Sequence, residues 1–219
     1  MKVKIAALLL ILAGISIIFY PTFIEKYHDR QQDEILSEWH KSMNNINNGE
    51  EQQGHNVKKK EETNEPAPEN KTSSRLDNYP KAEALLIIDK INFMQPILHG
   101  ATAEHLNTTV ASVEDTGIAG DIGNYAVAGH RNRTYGRNFN RLDEIGVGDN
   151  IKVDNGTELF EYTVTEKLIV KPEEVWVLNP NGTDKEITLI TCHPMVNPTH
   201  RIIVKGKIIE KNTEQAPSL

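Results

Sequence analysis

The sequence predicts an all-β domain of about eight short strands, a barrel or a sandwich, carried behind an apolar N-terminal helix. Three observations predict it. From Tyr79 onward, short apolar or alternating runs recur, each bounded by Gly, Asn, Asp or Pro, which is the punctuation of strands and turns. Only Glu104–Ser112 and Asn138–Leu142 in that region suggest helical turns. Before Glu25, finally, the chain carries no acid and one long apolar run.

The first segment is 1–24. Lys2 and Lys4 precede an uncharged stretch from Ile5 to Ile24, the length of about 20 residues that crosses a bilayer core as a helix. The run ends in Phe19-Tyr20-Pro21-Thr22-Phe23. Those bulky residues suit a membrane interface better than a signal-peptidase site, which wants small side chains. A retained single-pass anchor is expected, with the two lysines inside and the rest of the chain extracytoplasmic. The second segment, 25–78, begins with a short amphipathic helix over 25–44, where Ile35, Leu36, Trp39 and Met43 share a face. Residues 44–78 are rich in Asn, Lys, Glu and Pro and poor in apolar residues, the composition of a flexible stalk.

The β-domain is expected over 79–212, with a short tail at 213–219. Its strand candidates are Ala84–Ile88, Pro96–Leu98, Asn124–Ala128, Asn150–Val153, Leu159–Val164, Lys167–Val170, Glu186–Thr191 and Arg201–Ile209. Asp154-Asn155-Gly156 and Asn179-Pro180-Asn181-Gly182 mark turns between them. The net charge of -7, with no basic stripe interleaved with aromatics, argues against a nucleic-acid partner. One cysteine excludes an internal disulfide and a thiolate-rich zinc centre. No cofactor is expected.

Chemistry points to that cysteine. Ile187-Thr188-Leu189-Ile190-Thr191 leads straight into Cys192, and Pro194 follows. A proline cannot continue the ladder, so the strand ends near the thiol and leaves it accessible at the mouth of the sheet. A buried, inert thiol is the alternative. The loop 193–200 then leads to Arg201-Ile202-Ile203-Val204. In a hairpin, Cys192 and Arg201 would stand side by side on one face. A guanidinium beside a thiol favours the nucleophilic thiolate and can bond a developing oxyanion. Acyl transfer also needs a proton carrier. His130, after the apolar run Tyr125–Ala128 and Gly129, is one candidate, and His193 is the other; spacing alone leaves both open.

Tyr125-Ala126-Val127-Ala128-Gly129-His130 resembles the histidine motif of the sortase family, and Thr188-Leu189-Ile190-Thr191-Cys192 matches that family's T-L-x-T-C signature. Arg201 lies where the family places its arginine, at the head of the final strand. The resemblance covers roughly residues 79–210. It implies an eight-stranded sortase-type barrel and a cysteine transpeptidase, with Cys192 as nucleophile, His130 as acid/base and Arg201 as oxyanion stabiliser. Ala128 and Thr191 would line the substrate groove. The implied substrates are surface proteins bearing an L-P-x-T-G-like sorting signal, cut after threonine. The implied acceptor is an amine of a peptidoglycan precursor, joined through a thioacyl enzyme. Cys192-His193-Pro194, Glu173–Leu178 and the short loop before Arg201 are similar to class D, with class A as the second choice. Asp89 departs from the proline many sortases have after their first strand. A class A-type calcium site would draw on Glu104, Glu114, Asp115, Glu173 and Glu174; a solvated acidic surface is the simpler expectation, with no metal. A hydrolase using the same three residues, and a non-catalytic anchored β-domain, remain as alternatives.

Overall fold

The computed structural model describes residues 2–50 and 82–209. Eight strands close into a barrel: β1 Ala82–Ile88, β2 Phe93–Leu98, β3 Val110–Ser112, β4 Gly123–Ala128, β5 Asn150–Asp154, β6 Leu159–Val170, β7 Lys185–His193 and β8 His200–Lys207. Their order around the barrel is β1-β2-β3-β4-β7-β8-β6-β5, and β5 pairs back to β1. Most neighbours are antiparallel; β2 with β3 and β4 with β7 are parallel.

Alternation explains the interior. Leu86, Ile88, Val127, Ile187, Leu189, Ile202 and Val204 all point into one core with Ile151, Val153 and Tyr162. Each such aliphatic side chain contributes about 1.5–3 kcal/mol by leaving water. Side chains of the opposite parity form the outer face. There Val170, Val177 and Ile203 make a second cluster with Leu168, Leu178 and Ile190.

Three expectations change. The two short strands expected at Leu159–Val164 and Lys167–Val170 are one strand, β6, with a register shift between Val164 and Glu166. A bulge adds an unpaired residue and bends a strand without ending it. The helical stretch expected over Glu104–Ser112 stops early: α2 spans Ala103–Thr108 and the chain then becomes β3. The buried Thr109 hydroxyl donates to Pro96 O at 2.8 Å, and β-branched Thr109 and Val110 favour the pleated conformation. The third change is at the N-terminus. A single helix, α1, runs from Lys2 to Glu50 through Pro21, so the anchor and the spacer helix are continuous and 44–50 is not stalk. It is long and apolar enough to cross a membrane, where neighbouring groups commonly accommodate a proline. The rest of the expected stalk, 51–78, and the tail at 213–219 lie outside the described residues.

The expected helical face of α1 is seen at Ile35 and Trp39, while the Met43 side chain lies outside the described residues. Ile35 is buried in a cluster with Leu98 and Ala111, and Trp39 is buried as well. Polar contacts accompany that packing. Asp29 pairs with Arg137 at 3.3 Å, and the Thr134 hydroxyl donates to Glu25 Oε1 at 3.1 Å.

Candidate active site

The parallel pairing of β4 with β7 places the histidine. Val127 pairs with Leu189 and Ala128 with Ile190, and Gly129 N–H continues the ladder to Ile190 O at 3.0 Å. Two residues further along each chain, His130 is level with Cys192. Gly129 is required by close approach: a Cβ there would lie 2.7 Å from a Phe139 ring atom and 2.8 Å from Val110 Cγ1. Phe139 N–H then donates to His130 O at 3.0 Å, which holds the backbone just past the strand end.

The antiparallel hairpin β7–β8 places the other two groups. Cys192 pairs directly with Arg201, and His193 with His200, so the connecting loop is shorter than expected. Ile187, Leu189, Ile202 and Val204 point inward; by alternation Cys192 and Arg201 point outward. His130 has the same parity as outward-facing Ala128. The three side chains therefore form a row across β4, β7 and β8, on the outer face at one end of the barrel.

Cys192 and Arg201 are partly covered, His130 is exposed, and all three are lightly bonded. Cys192 is a free thiol, half-buried. Desolvation of its ring by neighbouring atoms, despite the residue's exposed edge, lowers the His130 imidazole below its ordinary value, so the ring is neutral at neutral pH. Arg201 Nη1 donates to His200 O at 2.9 Å. Among the described residues no carboxylate lies within ion-pair distance of it. Its charge is thus free to meet an anionic group arriving from solvent.

Ala128 sits half-buried on the same outer face as Cys192. Thr191 does not: it faces the opposite side, is 2% exposed, and its hydroxyl donates to Gly129 O at 2.8 Å. That bond ties the residue before the cysteine to the residue before the histidine. Beside the row, Ile190 and Ile203 join the outer cluster with Val170 and Val177, an apolar floor running up to the thiol.

One brace was not read from the sequence. Arg131, with only 7% of its side chain exposed, pairs with Asp143 at 2.6 Å, and its Nη1 lies 3.0 Å from His193 Nδ1. Arginine only donates, so that nitrogen accepts and the His193 ring is engaged in holding the two chain segments together. The one available signal was a charged residue directly after Gly129-His130; its partners lie 12 and 62 residues on in the chain. The acids considered for calcium are scattered over α2, the loop after β3 and the loop before Val175–Leu178. Glu174 accepts from Lys171 N–H at 2.7 Å. Among the described residues no three His, Cys, Asp or Glu side chains converge as a metal would need.

Comparison with known proteins agrees in fold and extent. The sortase domain family model matches residues 86–209. Sortase A of Bacillus anthracis is 32% identical over 122 residues, 56% of this chain and 57% of that protein. Sortase D of Bacillus subtilis is 28% identical over 130 residues, 58% of this chain and 64% of that one. The match thus spans somewhat over half the length of these curated relatives. A solved Clostridium perfringens sortase D5 transpeptidase superposes with a TM-score of 0.55 at 32% identity, covering 65% of this chain and 89% of that one.

Proposed function

The chain belongs to the sortase family, and from that premise we propose that it is a membrane-anchored, class D-like cysteine transpeptidase acting at the outer face of the cell membrane. The observation that carries the reading is the row itself: Cys192 opposite Arg201 on one rung, with His130 level with them just past the end of the neighbouring strand.

The chemistry follows from those positions. The substrate is a surface protein with an L-P-x-T-G-like sorting signal, laid along the outer face over Ala128 and the apolar floor beside Cys192. Neutral His130 takes the thiol proton as Cys192 Sγ bonds to the threonine carbonyl carbon. The carbonyl oxygen becomes an oxyanion and Arg201 donates to it. When the tetrahedral intermediate collapses, the C–N bond breaks and the imidazolium gives its proton to the departing amine. An amine of a peptidoglycan precursor then attacks the thioacyl carbonyl, His130 takes its proton, and the thiolate leaves and is reprotonated. One amide is broken and one is made, with no net redox change. Thr191 has no contact role in this scheme. It holds the cysteine and histidine segments in register through Gly129.

The test is incubation of the chain and its Cys192→Ala variant with a panel of L-P-x-T-x peptides and an amine acceptor, with products read by mass. Cleavage after threonine with transfer to the amine, absent from the variant, is expected. Cleavage without transfer makes the protein a hydrolase, and no reaction with an alkylation-inert Cys192 removes the catalytic reading.

A further inference from the structure

The contacts of α1 run in a fixed order along the barrel. Glu25, the first charge after the apolar run, accepts from Thr134 at 3.1 Å. One turn on, Asp29 pairs with Arg137 at 3.3 Å. Gln31 is next, taking the Thr108 hydroxyl of α2 at 3.4 Å, and Ile35 comes last, packed on Leu98 and Ala111 of the barrel wall. The residues nearest the membrane therefore touch the loop that follows His130, and those further out touch the body of the barrel. At 1.5 Å per residue, Glu25 to Ile35 spans about 15 Å, so the direction is well defined.

That loop has a composition of its own. From Arg131 to Arg141 inclusive there are four arginines and no acid, in a chain whose net charge is -7. Arg131, Arg137 and Arg141 each pair with a carboxylate, from Asp143, Asp29 and Glu144. Arg133 is exposed and has no such partner among the described residues. Tyr135 beside it is 75% exposed and lies against Arg141, 4.9 Å from the ring centre. An unpaired guanidinium next to an exposed aromatic ring, held at the height where an apolar helix ends, suits a headgroup layer.

We propose that the loop 132–137 rests on the surface of an anionic bilayer, so that α1 holds the barrel with its His130–Cys192–Arg201 end toward the membrane. The proposal rests on α1 spanning the membrane, as in the function proposed above. Its consequence concerns substrate delivery. Substrates held at the membrane surface reach Cys192 from the bilayer side. The loop 113–122, which joins β3 to the start of β4, lies at the other end and faces away.

The experiment uses the full chain reconstituted in vesicles of phosphatidylcholine with or without phosphatidylglycerol, doped with a lipid carrying a nitroxide quencher on its headgroup. One sample carries a fluorophore on native Cys192. The other carries it on Ile118→Cys in a Cys192→Ala background, since Ile118 is 70% exposed in the distal loop. Quenching several-fold stronger at Cys192 is expected. It should fall when phosphatidylglycerol is omitted and in Arg133→Glu, an exposed substitution that leaves the fold alone. Arg137→Glu, which sets like charges against Asp29, should bring the two labels toward equality. Equal quenching, or stronger quenching at position 118, in a chain that floats with the vesicles overturns the orientation while leaving the anchor intact. Quenching at Cys192 indifferent to both phosphatidylglycerol and Arg133→Glu overturns the lipid contact. A chain that does not float overturns the anchor, and the proposal with it.

Discussion

The two ends of the barrel treat polar groups in opposite ways. At the end formed by the start of β4 and the loop 113–122, polar side chains are matched to one another, the tyrosines from buried positions. Tyr125 is 4% exposed and donates to Glu83 at 2.6 Å, and His99 takes the other oxygen of that carboxylate at 2.9 Å. Tyr162 accepts Gly120 N–H at 2.8 Å. Burial pushes the Tyr162 phenol up to about 12, partly offset by that N–H. Burial, reinforced by the Glu83 charge, drives Tyr125 far above its ordinary range. Both stay neutral and structural. At the opposite end Cys192 and Arg201 are half-covered and His130 is exposed, and among the described residues only Arg201 of the three makes a side-chain hydrogen bond. Saturated hydrogen bonding fixes a conformation; unsaturated groups held by backbone register are free to act on a substrate.

Substitutions can break that contrast. The largest effect is expected for Cys192→Ala, where cleavage and transfer should fall by about 10⁴-fold or more, as when a nucleophile is removed from a cooperating set. Stability should move by no more than about 1 kcal/mol in a urea melt. Retained activity would remove the nucleophile from the proposed mechanism. Arg201→Lys comes next: the charge stays but the planar fork is lost, and kcat should fall about 10²–10³-fold with peptide affinity nearly unchanged. A loss seen only in KM would make Arg201 a substrate clamp instead.

At the distal end the order reverses, and stability should respond while catalysis does not. Gly120 sits at φ +84, and a Cβ there would lie 2.2 Å from the Phe160 ring. Gly120→Ala should cost about 2–3 kcal/mol of unfolding free energy, with peptide turnover unchanged at temperatures where the protein stays folded. Tyr162→Phe leaves Gly120 N–H without its partner and should cost about 1–2 kcal/mol in the same assay. An activity loss in either variant that exceeds the unfolded fraction would show that the ends are coupled.

The smallest effect is a pH dependence. His130 is held below the ordinary imidazole value of 6.5 by partial desolvation of its ring. Below pH 6.5 the unfolded chain therefore binds a proton that the folded chain still refuses. Stability contributed by neutral His130 is fully present above pH 6.5 and declines as pH falls toward the folded-state value. His130→Gln should flatten that part of the stability curve. For the same reason the acid limb of kcat/KM should lie below pH 6.5; a limb above it would mean that the partial desolvation of the ring does not set its titration.

What could be read from the sequence was whatever is written locally. Alternation in Ile187–Thr191 and Arg201–Val204 announced strands, and Pro194 announced where β7 must end. The charge-free run from Ile5 to Ile24 announced a helix able to cross a bilayer. The hairpin between Cys192 and Arg201 was readable too, because its ends are close in the chain and turn length constrains the register. The rest depended on pairing between distant segments. His130 reaches Cys192 only because β4 and β7, 62 residues apart in sequence, run parallel with Ala128 against Ile190; spacing alone could not separate it from His193. Thr108-Thr109-Val110 could continue a helix or begin a strand, and the Pro96 carbonyl decided it. The merging of two predicted strands into β6 was decided by its long ladder with β8. The Arg131 brace and the seating of α1 on the loop after His130 were likewise invisible in the chain. Periodicity and turn residues record each segment's own preference, which is what sequence by itself determined here. Which segments become neighbours, and so which side chains share a site, is a property of the closed barrel, because hydrogen bonding and burial between distant segments are satisfied only once it closes.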